Sequence, residues 1–188
     1  YRTTAYNFRD ARHAADLFAL KESGNIYARL TNPTNDVLER RLAALDGGIA
    51  AVSLSSGTAA IYFTITNIAT VGDNIVSANN LYGGTFTQFD SILRSQGIDV
   101  RFTPVNDFAA VEAAINENTR ALYVETIGNP GLDVADLDRY VGALQMCAIV
   151  IVGCCELAEH LDLGLLAVDL GRHGSLAAAY RLQNAVCI

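Results

Sequence analysis

The chain is 188 residues long and 51% hydrophobic, enough apolar material for one well-packed domain, which excludes a disordered polypeptide. Its 20 acidic residues outnumber 13 basic ones, and a formal net charge of -7 offers no clustered positive field for nucleic acid or an anionic membrane, so small ligands are expected. The most apolar stretches, 148–155 and 163–168, are too short to cross a bilayer, and the charged opening "YRTTAYNFRDARHAADLFAL" is unlike a secretion signal.

Residues 1–32 follow neither a helical nor a strand period cleanly and read as an arm of short helical pieces leaning on a partner. The start on Tyr1 rather than Met fits an excerpt of something longer. From residue 33 to 188, β-branched runs alternate with helical patterns, the signature of an α/β architecture: a mostly parallel sheet with crossover helices on both faces. First comes a helix in "NPTNDVLERRLAALDGG", with Pro33 in its first turn and Gly47-Gly48 after its last. Strand 50–55, the helix of "SGTAAIYFTITNIA" and strand 74–79 follow, then the helix of "GTFTQFDSILRSQG" and strand 99–105. The helix of "DFAAVEAAI", strand 120–126, the helix of "VADLDRYVGALQ" and strand 148–152 complete the series. Cys147, Cys154, Cys155 and Cys187 contain no C-x-x-C pair; adjacent Cys154 and Cys155 read as two faces of a buried strand end, and the four fit a reducing, cytoplasmic setting. Cys155, Glu156 and His160 match no zinc spacing, so no metal is expected.

In an open parallel sheet, ligands collect where strands end and helices begin. After strand 50–55, Ser56, Gly57 and Thr58 open a helix and present free amides and a positive dipole end to an anion. Taken alone, so short a motif is better read as an N-cap and a tight turn. Tyr82, ahead of Gly83 and Gly84, has two readings: a ring lying over a planar ligand, or ordinary half-exposed packing. Glu125, Thr126 and Asn129 of "VETIGNP" share that sheet edge. Tyr27 and Arg29 set a phenol beside a guanidinium, either as a phosphate clamp or as an exposed arginine before a helix. No P-loop, dinucleotide-binding Gly-x-Gly-x-x-Gly or serine-hydrolase elbow occurs.

Taken in order, "NIYARLTNPTNDVLERRLAALDGG", "SLSSGTAAI", "NIVSANNLYGGT" and "ALYVETIGNP" resemble the Cys/Met-metabolism family of pyridoxal-phosphate enzymes, from Tyr1 to about Val152. The resemblance implies the large domain of a fold-type I, aminotransferase-like transferase. On that reading residues 33–188 are a partial cofactor-binding domain and residues 1–32 an arm contacting a neighbouring subunit. The implied cofactor is pyridoxal 5'-phosphate. Carried over, Ser56, Gly57 and Thr58 cradle its phosphate, and Tyr82 stacks on the pyridine ring and assists proton movement as a catalytic residue. Asn129 lies beside the ring's 3-hydroxyl, with Glu125 among the cofactor-binding residues. Tyr27 and Arg29 match the family's Tyr-x-Arg, lent to the neighbour's cofactor phosphate in a homo-oligomer, a dimer of dimers. "HAADLFALKESGNIYARLTNPT" with "ETIGNP" is nearest to the branch that replaces the acetoxy group of O-acetyl-L-homoserine with sulfide or a thiol, giving homocysteine or methionine.

The pattern breaks after Val152. The family continues as "VDNT", whose aspartate holds the pyridine nitrogen protonated; here the chain reads Val152-Gly153-Cys154-Cys155, with Asp162 and Asp169 out of frame. The family's Ser-x-Thr-Lys, whose lysine links covalently to the cofactor, is replaced by "DLGRHGSLAAAY", and Lys21 in the arm is the only lysine. Three readings stay open. Residues 153–188 are an altered tail on an ordinary enzyme, or the chain is a truncated, non-catalytic homologue serving assembly or binding the cofactor without turnover. The third is a different reaction at the same edge, using Glu125, His160 or His173.

Overall fold

The computed structural model describes residues 1–46, 50–142, 149–153, 164–170 and 178–182. The arm holds α1 (Ala11–Phe18), and α2 (Pro33–Asp46) leads into β1 (Ala50–Leu54) and α3 (Gly57–Ile68). Next come β2 (Asn74–Ala78), α4 (Gly83–Thr87) running on as a π-helical segment Gln88–Leu93, and β3 (Asp99–Thr103). The remainder is α5 (Phe108–Ala114), β4 (Thr119–Glu125), α6 (Leu137–Gly142), β5 (Ile149–Gly153), β6 (Gly164–Leu170) and β7 (Ala178–Leu182).

The strand order is β1-β6-β7-β5-β4-β2-β3. β2 pairs in parallel with β3 and β4, β4 with β5, and β5 with β7, whereas β6 is antiparallel to both β1 and β7. One reversed strand therefore leaves the carboxyl ends of β1, β2, β4 and β5 at a common edge. The five strands expected from the pattern all form, within a residue or two; β3 stops before Pro104, which has no N–H for a ladder. Three differences stand out. The apolar stretch at 163–168 is strand β6, Ala178–Leu182 adds strand β7, and the helix after Tyr82 is not uniformly α but passes into a π segment.

Period-two alternation gives both sheet faces a core. Ile75, Val100, Ala121 and Tyr123 pack with Ile65, Phe89 and Leu93 on the side of α3 and α4. Val76, Ala78, Leu122 and Val124 pack with Phe108, Val111 and Tyr140 on the side of α5 and α6. Each large aliphatic so buried contributes about 1.5–3 kcal/mol. Phe89 meets Tyr123 edge-on at 4.9 Å, which fixes the π segment against β4.

At the opposite edge from the helix N-termini, Asp73 ties β4 to the turn before β2. Its Oδ1 accepts from Arg120 Nε at 2.8 Å, and its Oδ2 accepts from the Thr70 N–H at 2.9 Å. The Arg120 hydrogen bond first, then the Thr70 amide, hold the Asp73 carboxyl below its usual range. The stabilisation is thus present above the unfolded pKa and is lost as pH falls through the folded one. Arg120→Met is expected to melt lower than the unaltered chain at neutral pH. The two melting curves should converge once the pH has fallen through the lowered folded-state pKa of Asp73, so that the carboxyl is neutral in both states; a gap that persists beyond that point would show a different cause.

The arm folds back on itself. Ala5 bridges Tyr27 in antiparallel fashion, Asp10 caps α1 by accepting from the His13 N–H at 2.7 Å, and Arg9 grips Glu22 through contacts of 2.8 and 3.0 Å. Leu17 is buried against Gly24, where a Cβ would come within 2.8 Å of Leu17 Cδ2. Tyr1, Phe18, Leu20 and Leu30 remain exposed.

Candidate functional site

The site is built where β1, β2 and β4 end. Ser56 has extended backbone angles (φ -165°, ψ 160°), and its Oγ accepts from the Ala59 N–H at 3.0 Å. This is N-capping, which also sets the first turn of α3 so that the early amides of Gly57 and Thr58, lacking partners within the helix, face outward. The capping and anion-receiving roles are compatible, since the cap uses one amide of the turn. Helix α3 then crosses the sheet face to pack on β4, β6 and α4, which brings this turn toward the β2 and β4 ends.

Tyr82 leads into α4 with its side chain 48% exposed. Its ring lies against Gly84, where a Cβ would sit 2.5 Å from Tyr82 Cε1. The Tyr82 N–H donates to Glu125 Oε2 at 2.9 Å, and Glu125 is 0% exposed at the end of β4. By strand alternation Glu125 shares the face of Ala121 and Tyr123, beneath α3 and α4. From that position its carboxyl group pins the tyrosine loop from below. Asn129 is exposed on the following loop, and Gly128 beside it is buried.

Two residues not singled out as site residues in the sequence belong here. Asn80, between β2 and Tyr82, has both amide atoms buried and without a partner among the described residues. A Cβ on Gly128 would fall 2.1 Å from Asn80 Nδ2 and 2.7 Å from the Asn80 carbonyl oxygen, so the two loops touch through the glycine. The available signal was Gly128 itself, a small residue where the chain needs close approach. The second is Gln88, whose Nε2 donates to the Thr58 carbonyl at 3.1 Å.

Tyr27 and Arg29 are exposed on the arm, with the Arg29 guanidinium carbon 5.7 Å from the Tyr27 ring centroid. Among the described residues no hydrogen bond joins either to Ser56–Thr58 or to Tyr82. A cleft of about 390 Å³ between the arm and α2, lined by Ser23, Leu30, Asn32, Asp36, Glu39 and Arg40 among others, contains none of the site residues. Lys21 is exposed after α1. Gly153, where the family shows its aspartate, pairs in register with Glu125, and Asp169 lies on β6 opposite Ala179. Cys147, Cys154, Cys155, Glu156, His160, Asp162, His173, Cys187, Gly47 and Gly48 lie outside the described residues. No helix among the described residues is long and apolar enough to cross a membrane.

These features fit part of a phosphorylated, planar cofactor: amides at a capped helix start with no partner among the described residues, a half-exposed aromatic face, and the buried Asn80 amide two residues before it. Architecture and site together define the large domain of a fold-type I pyridoxal-phosphate enzyme. A Campylobacter jejuni protein assigned as an O-acetylhomoserine (thiol)-lyase, solved with a pyridoxyl-lysine monophosphate, superposes with a TM-score of 0.77 at 38% identity, over 81% of this chain and 38% of that one.

The chain belongs to the Cys/Met metabolism PLP-dependent enzyme family, which matches residues 1–172. It is 51% identical over 153 residues to O-acetyl-L-homoserine sulfhydrylase 1 of Thermus thermophilus, covering 81% of this chain and 36% of the relative. It is 47% identical over 152 residues to a homocysteine/cysteine synthase of Kluyveromyces lactis, covering 81% of this chain and 34% of the relative. The chain thus spans about a third of the length of the curated relatives it matches. The family match extends beyond Val152, where the resemblance legible in the sequence ends, to residue 172.

Proposed function

We propose that this chain supplies the cofactor cradle of a transferase that replaces the acetoxy group of O-acetyl-L-homoserine with sulfide or a thiol, giving homocysteine or methionine. The observation that carries the reading is the convergence of the capped α3 start with Tyr82 and its Glu125 anchor at one sheet edge. Pyridoxal phosphate, when bound, supplies an electron sink for the substrate's carbanion chemistry. Gly57 and Thr58 would offer amides to its phosphate, with the Ser56 cap holding their turn. The Tyr82 ring would cover one face of the pyridine, leaving its hydroxyl to hold or pass a proton. Asn129 would stand by the 3-hydroxyl, while Glu125 orients Tyr82.

Tyr27 and Arg29 would serve a neighbouring copy's phosphate, a role supported by their exposure and by the exposed apolar residues Tyr1, Phe18, Leu20 and Leu30 on residues 1–32. The proposed assembly is a homo-oligomer, a dimer of dimers, in the cytoplasm. A second reading is favoured by Lys21 being the only lysine: a homologue that binds the cofactor reversibly, without turnover. One experiment separates them. The chain is titrated with pyridoxal phosphate, assayed for homocysteine from O-acetyl-L-homoserine and sulfide, then reduced with borohydride and weighed intact. Homocysteine formation supports the enzyme; saturable binding without product or a lysine adduct supports the second reading; absence of binding overturns both.

A further inference from the structure

We propose that Gln88 is a positioning residue that locks the tyrosine-bearing helix to the anion-receiving turn, so that Tyr82 stacking and phosphate binding at Ser56–Thr58 act as one unit. The inference rests on the cofactor reading above. Gln88 is 5% exposed and opens the π-helical segment Gln88–Leu93, six residues after Tyr82 on the same helical run. Its Nε2 donates to the Thr58 carbonyl at 3.1 Å, while its Oε1 is buried with no partner among the described residues.

The peptide plane between Thr58 and Ala59 is consequently held at both ends. Its carbonyl takes the Gln88 amide, and its N–H goes to Ser56 Oγ at 3.0 Å. That plane belongs to the first turn of α3, whose orientation decides where the free amides point. A half-satisfied buried amide is costly, and an apolar side chain of the same size would avoid the cost. What the glutamine adds is a tie across two elements. The π segment contributes geometry: an insertion of this kind shifts the downstream face of a helix, and here Gln88, Phe89 and Leu93 are all buried together. Tyr82 itself is anchored by Glu125 through its own amide, and Gln88 links its helical run to the anion-receiving turn.

The test compares pyridoxal phosphate with pyridoxal, which has the ring but not the phosphate, by absorbance titration of the full chain. Gln88→Met keeps size and removes the donor. It is expected to weaken pyridoxal phosphate about tenfold while leaving pyridoxal affinity unchanged. Equal weakening of both ligands, or no change in either, overturns the proposal, because a merely structural role would not single out the phosphate. Should Gln88→Met fail to fold, Gln88→Glu decides. Its carboxylate cannot donate to Thr58, but its protonated form can, so its affinity relative to the unaltered chain should recover as the pH is lowered. A ratio that stays flat with pH overturns the proposal. If the unaltered chain binds neither ligand, the cofactor reading itself falls and takes this inference with it; selective failure in the variants alone defeats only the inference.

Discussion

Gly128→Val is expected to destabilise the chain by about 3 kcal/mol and to abolish binding of pyridoxal phosphate, because the new side chain has nowhere to go. The Cβ alone would lie 2.1 Å from Asn80 Nδ2, and moving that side chain aside would still leave the Asn80 carbonyl oxygen at 2.7 Å. Backbone must therefore shift. The loop cannot give easily on its own side, since Gly128 N–H donates to the Asp133 carbonyl at 2.9 Å and its carbonyl accepts from the Leu132 N–H at 2.8 Å. Denaturant unfolding measures the cost, and Asn80→Ala in the same background should recover only part of it. An unfolding midpoint equal to that of the unaltered chain would show that the two loops do not meet as described.

The second large effect is expected at Glu125. Glu125→Leu removes the acceptor for the Tyr82 N–H, leaving a loop amide unpaired against a buried strand end, at a cost of about 2 kcal/mol. Glu125→Gln retains an acceptor oxygen and should keep most of the stability. Amide hydrogen exchange reports the contact directly: Tyr82 should lose protection in the leucine variant and keep it in the glutamine variant. Equal protection in both would mean that the loop is fixed by something other than this carboxyl group.

How much of this was legible beforehand depends on how local each cause is. The strand at 120–126 was legible in "RALYVET" because the strand period is a property of adjacent residues, and that period sends Ala121 and Tyr123 to one core and Leu122 and Val124 to the other. Ser56 was readable as a cap for the same reason: its partner is three residues away. The reading of Glu125 as a cofactor contact was less informative than its observed bond, since Tyr82 is distant in the chain and only folding sets them side by side. Gln88 and Asn80 were silent in the sequence because their counterparts, Thr58 and Gly128, are equally remote. The π segment escaped notice because "QFDSIL" satisfies a helical pattern whichever hydrogen-bond spacing it adopts. The direction of β6 was not predictable from its apolar run, since strand direction is set by where the chain enters the sheet.

The antiparallel strand has a bearing on the order in which the molecule can assemble. Among the described strands β1 pairs with the sheet only through β6, with Ala50 paired to Val168, whereas β2, β3 and β4 pair among themselves with nothing required from further along. On a ribosome β2, β3 and β4 can thus associate early, and the strand that leads into Ser56 must wait, unpaired, until Gly164–Leu170 has emerged. The anion-receiving turn is encoded before most of the sheet, but it is among the last parts of the sheet to be seated.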